Sequence, residues 1–195
     1  KRESTHALVW EASLLLHRYG QYHDLMRLAG NHYLVDLKRQ SVQGQVWEFA
    51  FPRAYWDLIQ EAAKKSGIDP YFALAIMREE SLFDPRALSR SKAMGLMQLM
   101  PFTAKEEARR QKIRLGTREA VFDPRINTRL GTGYLGRLAK RFQDKLILTA
   151  GSYNAGPSNM KRWLKRWKGL SVDEFVETIP FLETRNYVKR VYRSF

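Results

Sequence analysis

Apolar residues recur three and four positions apart through most of the chain, which is the spacing of amphipathic helices. Residues 5–19 and 21–28 form two such segments separated by Gly20. Residues 54–65 follow with the same spacing and stop before Gly67, a residue that suits a helix C-terminus. The pattern predicts an all-α, mainly helical fold that begins with a helical hairpin.

The second half of the chain continues in helical segments. Residues 146–155 read as an apolar helix, and residues 160–168 as a basic amphipathic helix with an apolar stripe. Residues 86–98 lack helical spacing and fit a loop or one small β-hairpin. Three helix starts carry a capping residue or a capping box: Thr103 with Glu106, Asp123 before Pro124, and Ser171 with Glu174.

One segment stands out because it has almost no polar face. Asp69 is a suitable N-cap and Pro70 suits the first helical position, while Asp84 before Pro85 marks the predicted end. Residues 72–77 are apolar without exception. A short helix that is apolar nearly all round belongs inside the domain.

Two glutamates occupy the last turn of this predicted helix. At about 100° per residue, Glu80 points into the apolar arc beside Ile76, whereas Glu79 lies nearer its edge. Burial and the helix C-terminus both favour a neutral carboxyl, and a protonated carboxylic acid is what a glycosidic oxygen needs as a general acid. Solvated glutamates, or ion pairs with Arg78 or Arg86, are the commoner arrangement for such a pair.

The charge of the chain is strongly positive and unevenly distributed. The formal net charge is +14, and residues 51–195 hold 28 lysines and arginines against 15 aspartates and glutamates. This balance indicates an anionic partner, such as nucleic acid, an acidic lipid surface or an acidic polymer like peptidoglycan. The basic helix at 160–168 alone would fit nucleic acid or a membrane, although a plain solvated face is the simpler interpretation.

Several kinds of chemistry are excluded by composition. There is no cysteine, and the four histidines all lie within the first 32 residues. Thiol catalysis and thiolate metal sites are therefore excluded, and carboxylate chemistry remains for the rest of the chain. No apolar run is long enough to cross a membrane, and no signal peptide is visible. The chain reads as a fragment of a longer protein.

The segment that follows Glu80 carries a recognisable signature. Glu80-Ser81, Ser89, Gly95-Leu96-Met97-Gln98 and Met100-Pro101 together resemble the active-site signature of the soluble lytic transglycosylases, glycoside hydrolase family 23 enzymes with a goose-type lysozyme fold. Three further blocks resemble the same family in the same order, and four ordered blocks are a specific signal. These blocks are Asp123 to Leu135, Ser152 to Pro157, and Ile179 to Val188.

The resemblance also suggests a division of the chain. It covers about residues 51–195, which predicts a lysozyme-like catalytic domain there. Residues 1–50 are then a helical extension, either docked on that domain or forming the end of an α-superhelical region.

The resemblance implies a reaction and a site. Glu80 is the implied catalytic residue, acting as the single acid and base that cleaves the MurNAc–GlcNAc β-1,4 bond and leaves 1,6-anhydro-MurNAc. No metal and no cofactor are implied. The implied partners are peptidoglycan glycan strands in the periplasm or cell envelope, and no specific nucleic acid is implied. The protein is expected to be a monomer without a transmembrane segment. The implied substrate-binding residues are Ser89, Met97, Gln98, Met100, Thr103, Tyr153, Asn154, Ala155, Glu183 and Tyr187.

Two alternatives remain open at this stage. One is a lysozyme-type muramidase that hydrolyses the same bond with water. The other is a basic helical nucleic-acid-binding protein, which explains the charge but neither Glu80 nor the ordered blocks.

Overall fold

Helices dominate the computed structural model, which describes residues 2–33 and 44–195. Within those ranges the extended backbone is limited to isolated bridges from Met94 to Leu88 and to Leu99, so the all-α fold is confirmed and the expected hairpin is reduced to two bridges. The helices are α1 (Arg2–Arg18), α2 (Tyr22–His32), α3 (Gln45–Ala50), α4 (Trp56–Ser66), α5 (Pro70–Ser81), α6 (Pro101–Arg110), α7 (Pro124–Arg141), α8 (Leu146–Ala155), α9 (Pro157–Arg166), α10 (Val172–Thr178) and α11 (Leu182–Ser194), with a 3-10 turn at Glu119–Phe122.

Local sequence signals explain several of these bounds. Asp69 caps α5 by accepting the N–H groups of Tyr71 at 2.7 Å and Phe72 at 3.1 Å. Gly67 closes α4 in the left-handed conformation, and the capping box of Ser171 with Glu174 opens α10. These predicted caps are confirmed.

Other predicted bounds are wrong. Thr103 and Glu106 do not form a capping box, because α6 already begins at Pro101 with Met100 as its N-cap, and Glu106 instead pairs with Arg110 one turn later. Proline is favoured at the first helical position, so α6 begins at Pro101, two residues before Thr103.

Two further bounds differ from the sequence expectation. The buried helix α5 ends at Ser81 rather than at Asp84, because Leu82 takes a left-handed conformation with φ 50°. Helix α2 continues through Gly30 to His32, and α3 was not expected. Within the described ranges, no helix combines the length and apolar character needed to cross a bilayer.

Helix α5 lies in the main hydrophobic core, as its apolar pattern predicts. Phe72, Ile76 and Met77 are almost completely buried, and they share this core with Leu135 of α7 and Val188 of α11. The two ends of α5 approach the surface, with Tyr71 in the first turn 42% exposed and Glu80 in the last turn partly exposed. The fold therefore presents the end of a buried helix, with Glu79 and Glu80, to a site formed by α7, α8 and α11.

The leading helices have a smaller core of their own. Leu25 and Phe49 are buried within it, while Met26 joins the main core and His23 lies 3.2 Å from the carbonyl oxygen of Leu82. Helix α2 thus packs near the end of α5. The domain boundary near residue 50 stays a prediction.

Candidate active site at the end of the buried helix

Glu80 occupies the last turn of α5 and is held by a residue far away in the chain. Its Oε1 accepts a 2.7 Å hydrogen bond from the hydroxyl of Tyr187 on α11. Tyr187 is only 3% exposed, whereas Glu80 is partly exposed. Among the described residues no hydrogen bond involves Oε2 of Glu80. The protein therefore orients the carboxyl through one oxygen and leaves the other for a further partner.

The surroundings of Glu80 favour its neutral form. Burial raises its pKa to about 7, against the hydrogen bond from Tyr187, which lowers it. The negative charges of Glu183 and Glu79 raise the pKa further, and the cation of Arg190 opposes them. At neutral pH the Glu80 carboxyl is thus divided between its two protonation states, which suits a group that first gives and then takes a proton.

Glu79 has a different environment from its neighbour. Its side chain is 9% exposed and accepts hydrogen bonds of 2.8 Å from Nε of Arg190 and from the hydroxyl of Ser194. Both partners lie on α11, so the pair ties the end of α5 to that helix. The sequence had suggested Arg78 or Arg86 as possible ion-pair partners, and Arg190 takes that place instead.

Asn127 on α7 holds the loop of residues 94–98, whose Leu96 carbonyl oxygen accepts a 2.8 Å hydrogen bond from Ser81, the residue after Glu80. Asn127 is fully buried and its Oδ1 accepts the N–H of Met97 at 2.7 Å. Its Nδ2 donates to the carbonyl oxygens of Met94 at 2.9 Å and Val121 at 2.8 Å. Gly95 is in the left-handed region with φ 73°, and a Cβ there would overlap the Asn127 amide. Sequence reasoning placed Asn127 in a family block but gave it no role.

The side chain of Met97 does not line a substrate-binding groove, contrary to the expectation that Met97 is a substrate-binding residue. Met97 is fully buried, and its side chain fills the space left by Gly131, where any Cβ would overlap it. Its carbonyl oxygen accepts a 2.8 Å hydrogen bond from the hydroxyl of Tyr153 on α8. Met97 therefore reaches the site through its backbone, and Tyr153 is fixed by that backbone.

Ser89 and Gln98 hold the same loop in shape. The Ser89 hydroxyl accepts the N–H of Ala93 at 2.9 Å, which closes a turn. The Gln98 amide donates to the carbonyl oxygens of Ala87 at 3.1 Å and Gly95 at 2.9 Å. Both side chains thus have structural partners, and contact with a substrate stays a prediction for each.

Two further predicted binding residues lie where the loop enters α6. Met100 is 44% exposed and precedes the first turn, and Thr103 is partly exposed within that turn. Their surfaces are open to a ligand, and their binding role stays a prediction.

The ends of α8 and α11 meet beside Glu80. Asn154 accepts a 2.6 Å hydrogen bond from the hydroxyl of Thr184, a residue to which sequence reasoning gave no role. Glu183, next to it, is exposed and forms no ion pair within the described ranges. The nearby cations of α11, Arg185 and Arg190, bind the Ile179 carbonyl oxygen and Glu79 instead. Glu183 is therefore an exposed carboxylate whose charge acts on Glu80.

These features define a helical protein with a carboxyl at the end of a buried helix. The carboxyl is about half protonated at neutral pH and is oriented by a hydrogen bond from a tyrosine. The family model described as "Transglycosylase SLT domain" matches residues 57–176, which is more than half of the chain. The chain belongs to this transglycosylase family. The soluble lytic murein transglycosylase of Escherichia coli K12 is 38% identical over 173 residues, covering 86% of this chain and 27% of that relative.

Solved structures of the same class share the fold. An inactive mutant of the lytic transglycosylase Slt from Pseudomonas aeruginosa has a TM-score of 0.79 at 34% identity over 93% of this chain and 28% of its own. The 70 kDa soluble lytic transglycosylase of Escherichia coli has a TM-score of 0.80 at 31% identity, with the same coverage of 93% and 28%. The chain spans about a quarter of the length of these relatives.

The pH dependence of the rate should report the protonation of Glu80. If Glu80 is a general acid, it must carry its proton to act, and its pKa is about 7, so kcat/KM is expected to be flat below that value and to fall about tenfold per pH unit above it. In Glu183→Gln the neighbouring negative charge is lost, which lowers the pKa of Glu80, so the fall should begin at a lower pH. A pH profile of glycan cleavage for both proteins measures the shift, and a shift to higher pH would contradict the electrostatics.

The Tyr187→Phe substitution should shift the pH at which kcat/KM begins to fall in the opposite direction. It removes the hydrogen bond that lowers the pKa of Glu80, so the fall should begin at a higher pH. The rate on the plateau should drop on the order of tenfold, since one hydrogen bond to the carboxyl, worth about 1.4 kcal/mol, no longer orients it. A plateau rate equal to that of the unmodified protein would show that Tyr187 does not position Glu80.

Proposed function

We propose that this protein is a lytic transglycosylase that cleaves the MurNAc–GlcNAc β-1,4 bond of peptidoglycan and forms 1,6-anhydro-MurNAc ends. Membership of the transglycosylase family supports the reaction class. The observation that carries the residue assignment is the place of the Glu80 carboxyl, at the end of a buried helix with Oε1 held by Tyr187, where burial raises its pKa to about 7. The site of action is the periplasm or cell envelope, where the glycan strands lie.

In the first step Glu80 acts as the general acid. It gives its proton to the glycosidic oxygen as the bond from that oxygen to C1 of MurNAc breaks, and GlcNAc leaves with a new hydroxyl group. The N-acetyl group of MurNAc supports the oxocarbenium-like centre at C1. A carboxyl with an ordinary pKa would be almost fully ionised at neutral pH and would have no proton to give.

In the second step the same residue acts as the general base. The ionised Glu80 takes the proton of the MurNAc 6-hydroxyl while that oxygen bonds to C1, which closes the 1,6-anhydro ring and restores the protonated acid. No water is consumed. A single carboxyl serves both steps because its pKa lies close to the working pH.

The 6-hydroxyl has a large advantage over water as the nucleophile. A well-oriented intramolecular group reacts with an effective concentration of about 10⁵ M or more. The residues proposed to hold the glycan in that orientation include Met100 and Glu183, which are exposed, and Gln98, which is partly exposed.

Mass spectrometry of digested peptidoglycan tests the reaction. Early products should end in 1,6-anhydro-MurNAc, about 18 mass units lighter than the hydrolysed equivalents because one water is the difference. Predominantly reducing-end MurNAc at early times would instead make the protein a muramidase, with Glu183 as the first candidate for positioning water. The Glu80→Gln protein, digested in parallel, controls for contaminating hydrolases.

A further inference from the structure

Helix α9 carries a row of cations that the active site does not use. We name Lys161, Arg162, Lys165 and Arg166 the α9 basic strip; all four side chains are exposed. The opposite side of the helix is anchored in the main core by buried Met160 and Trp163, which fixes the strip toward solvent. None of the ion pairs found among the described residues includes a member of the strip.

The strip has an internal electrostatic cost. Lys161 with Lys165, and Arg162 with Arg166, are like charges four residues apart on one helix, an arrangement that destabilises the helix. Because the folded protein supplies no acidic partner in the described ranges, an external anion is the group that would relieve the repulsion. This separates the strip from an ordinary solvated helix face, on which both signs alternate.

The strip lies on a helix that begins beside the active site. Helix α9 starts directly after the segment 153–155, at a turn made by Gly156 with φ 84°. Asn159 donates a 2.7 Å hydrogen bond to the carbonyl oxygen of Ala155, and the guanidinium of Arg162 donates to Oδ1 of Asn159. Arg162 is therefore held in place by two successive hydrogen bonds from the end of α8, instead of moving freely in solvent.

The same segment is joined to the carboxylate side of the site. Asn154 is hydrogen-bonded to Thr184, which is next to Glu183, and the charge of Glu183 acts on Glu80. Helix α9 rises about 1.5 Å per residue, so the strip from Lys161 to Arg166 lies about 6 to 14 Å along the helix axis from its first residue, Pro157. A long anionic substrate with one sugar link at Glu80 would lie within reach of these cations.

We propose that the α9 basic strip binds the acidic peptide substituents of the glycan strand while Glu80 acts on the strand itself. This inference rests on the proposed function, because it takes peptidoglycan as the substrate. The recognised groups are the carboxylates of the peptides, which Arg162 can bind with two parallel hydrogen bonds and the lysines as point charges. The strip increases affinity for peptide-bearing strands and takes no part in bond cleavage.

The decisive variant replaces all four strip residues by glutamine. Its matched control replaces four exposed cations on and just after α6, Lys105, Arg109, Lys112 and Arg114, by glutamine, so both variants lose the same net charge. The two substrates are peptidoglycan with its peptides and glycan strands stripped of them by an amidase. The amidase frees one lactyl carboxylate on each MurNAc as it removes the peptide, so the stripped strands still carry an anionic group beside the sugar and lack only the carboxylates further out on the peptides.

On peptide-bearing strands at low salt, the strip variant should lose about tenfold in kcat/KM, with the loss in KM, as expected for several exposed charge contacts. It should cleave stripped strands at the unmodified rate, and the salt dependence of the unmodified protein should largely vanish in it. The α6 variant should behave as the unmodified protein on both substrates. Equal losses in the two variants, or an equal loss on stripped strands, would overturn the inference.

Binding without turnover separates this inference from the proposed reaction. In the Glu80→Gln background, co-sedimentation with insoluble peptidoglycan should fall about tenfold when the strip is neutralised, in line with the loss of exposed charge contacts. If that holds while the unmodified protein makes no anhydro products, the reaction assignment fails and the strip assignment stands. If neutralising the strip instead abolishes only binding to phosphatidylglycerol vesicles, the strip is a membrane contact and the inference is wrong.

Discussion

Glu80→Gln should lower the rate of peptidoglycan cleavage by about 10³-fold or more while leaving the fold intact, because it removes the single group that is proposed both to give and to take the proton. Glutamine has nearly the same volume and can still accept the hydrogen bond from Tyr187. The rate is measured by release of soluble muropeptides from purified peptidoglycan, and folding by circular dichroism.

The neighbouring glutamate provides the matched control. Glu79→Gln keeps an oxygen that can accept from Arg190, and its amide nitrogen can donate to the Ser194 hydroxyl, so it should retain most of the activity. If Glu79→Gln were inactive and Glu80→Gln active, the assignment of the catalytic residue would be reversed. That result would also contradict the geometry, since both carboxylate oxygens of Glu79 are already hydrogen-bonded to α11, whereas Oε2 of Glu80 has no partner among the described residues.

Protein stability offers a second readout for Glu80→Gln. The pKa of Glu80 is raised to about 7 from an ordinary value of 4.5, so between those two values the native state binds more protons than the unfolded state. This contribution makes the native protein less stable as the pH rises through that window. Glutamine cannot ionise, so the variant should melt at a temperature no lower than that of the unmodified protein at pH 8.

The position of Glu80 could be predicted because it depends on local rules. Asp69 and Pro70 set where α5 starts, and the helical repeat then places Glu80 on the apolar side of a helix that is buried. The predicted orientation and the raised pKa both follow from this short segment. The resemblance to a family supplied the chemistry, which spacing alone could not.

The partners of Glu80 could not be predicted in the same way. Tyr187 is 107 positions away in the chain, and Arg190 meets Glu79 across 111. Such contacts depend on how α11 packs against α5, and no periodicity in either helix specifies that. Tyr187 was expected to bind substrate, yet it is 3% exposed and its hydroxyl is on Glu80.

Met97 shows why an apolar residue in a glycine-containing loop is ambiguous. Sequence position suggested a groove wall, because the surrounding block is part of the active-site signature. The structure buries the side chain against Gly131, which lies 34 residues later and has no Cβ to occupy that space. Gly131 lies on another helix, so the sequence around Met97 does not show that the Met97 side chain is buried.

Asn127→Ala should destabilise the protein by at least about 2 kcal/mol, because the N–H of Met97 and the carbonyl oxygen of Val121 lose their partner and each such loss costs about 1–3 kcal/mol. The carbonyl oxygen of Met94 also loses the Asn127 amide but keeps the N–H of Leu99 at 3.0 Å. The midpoint of thermal unfolding should fall by at least about 5 °C for a chain of this size. Denaturant and thermal unfolding followed by circular dichroism measure the loss.

An exposed asparagine on α11, Asn186, provides the matched control, and Asn186→Ala should change stability by less than about 0.5 kcal/mol.

Asn127→Asp is the sharper test of the hydrogen-bond pattern. It preserves the acceptor for the Met97 N–H but sets a carboxylate oxygen against two carbonyl oxygens, so it should be nearly as damaging as alanine at pH 8 and less so at pH 5, where the carboxyl can be protonated and donate. Because Tyr153 is fixed by the carbonyl of Met97, both Asn127 variants should also lose cleavage activity at temperatures well below their unfolding midpoints. Full activity in a destabilised Asn127→Ala protein would show that the loop needs Asn127 for folding alone and that its exact position does not govern the reaction at Glu80.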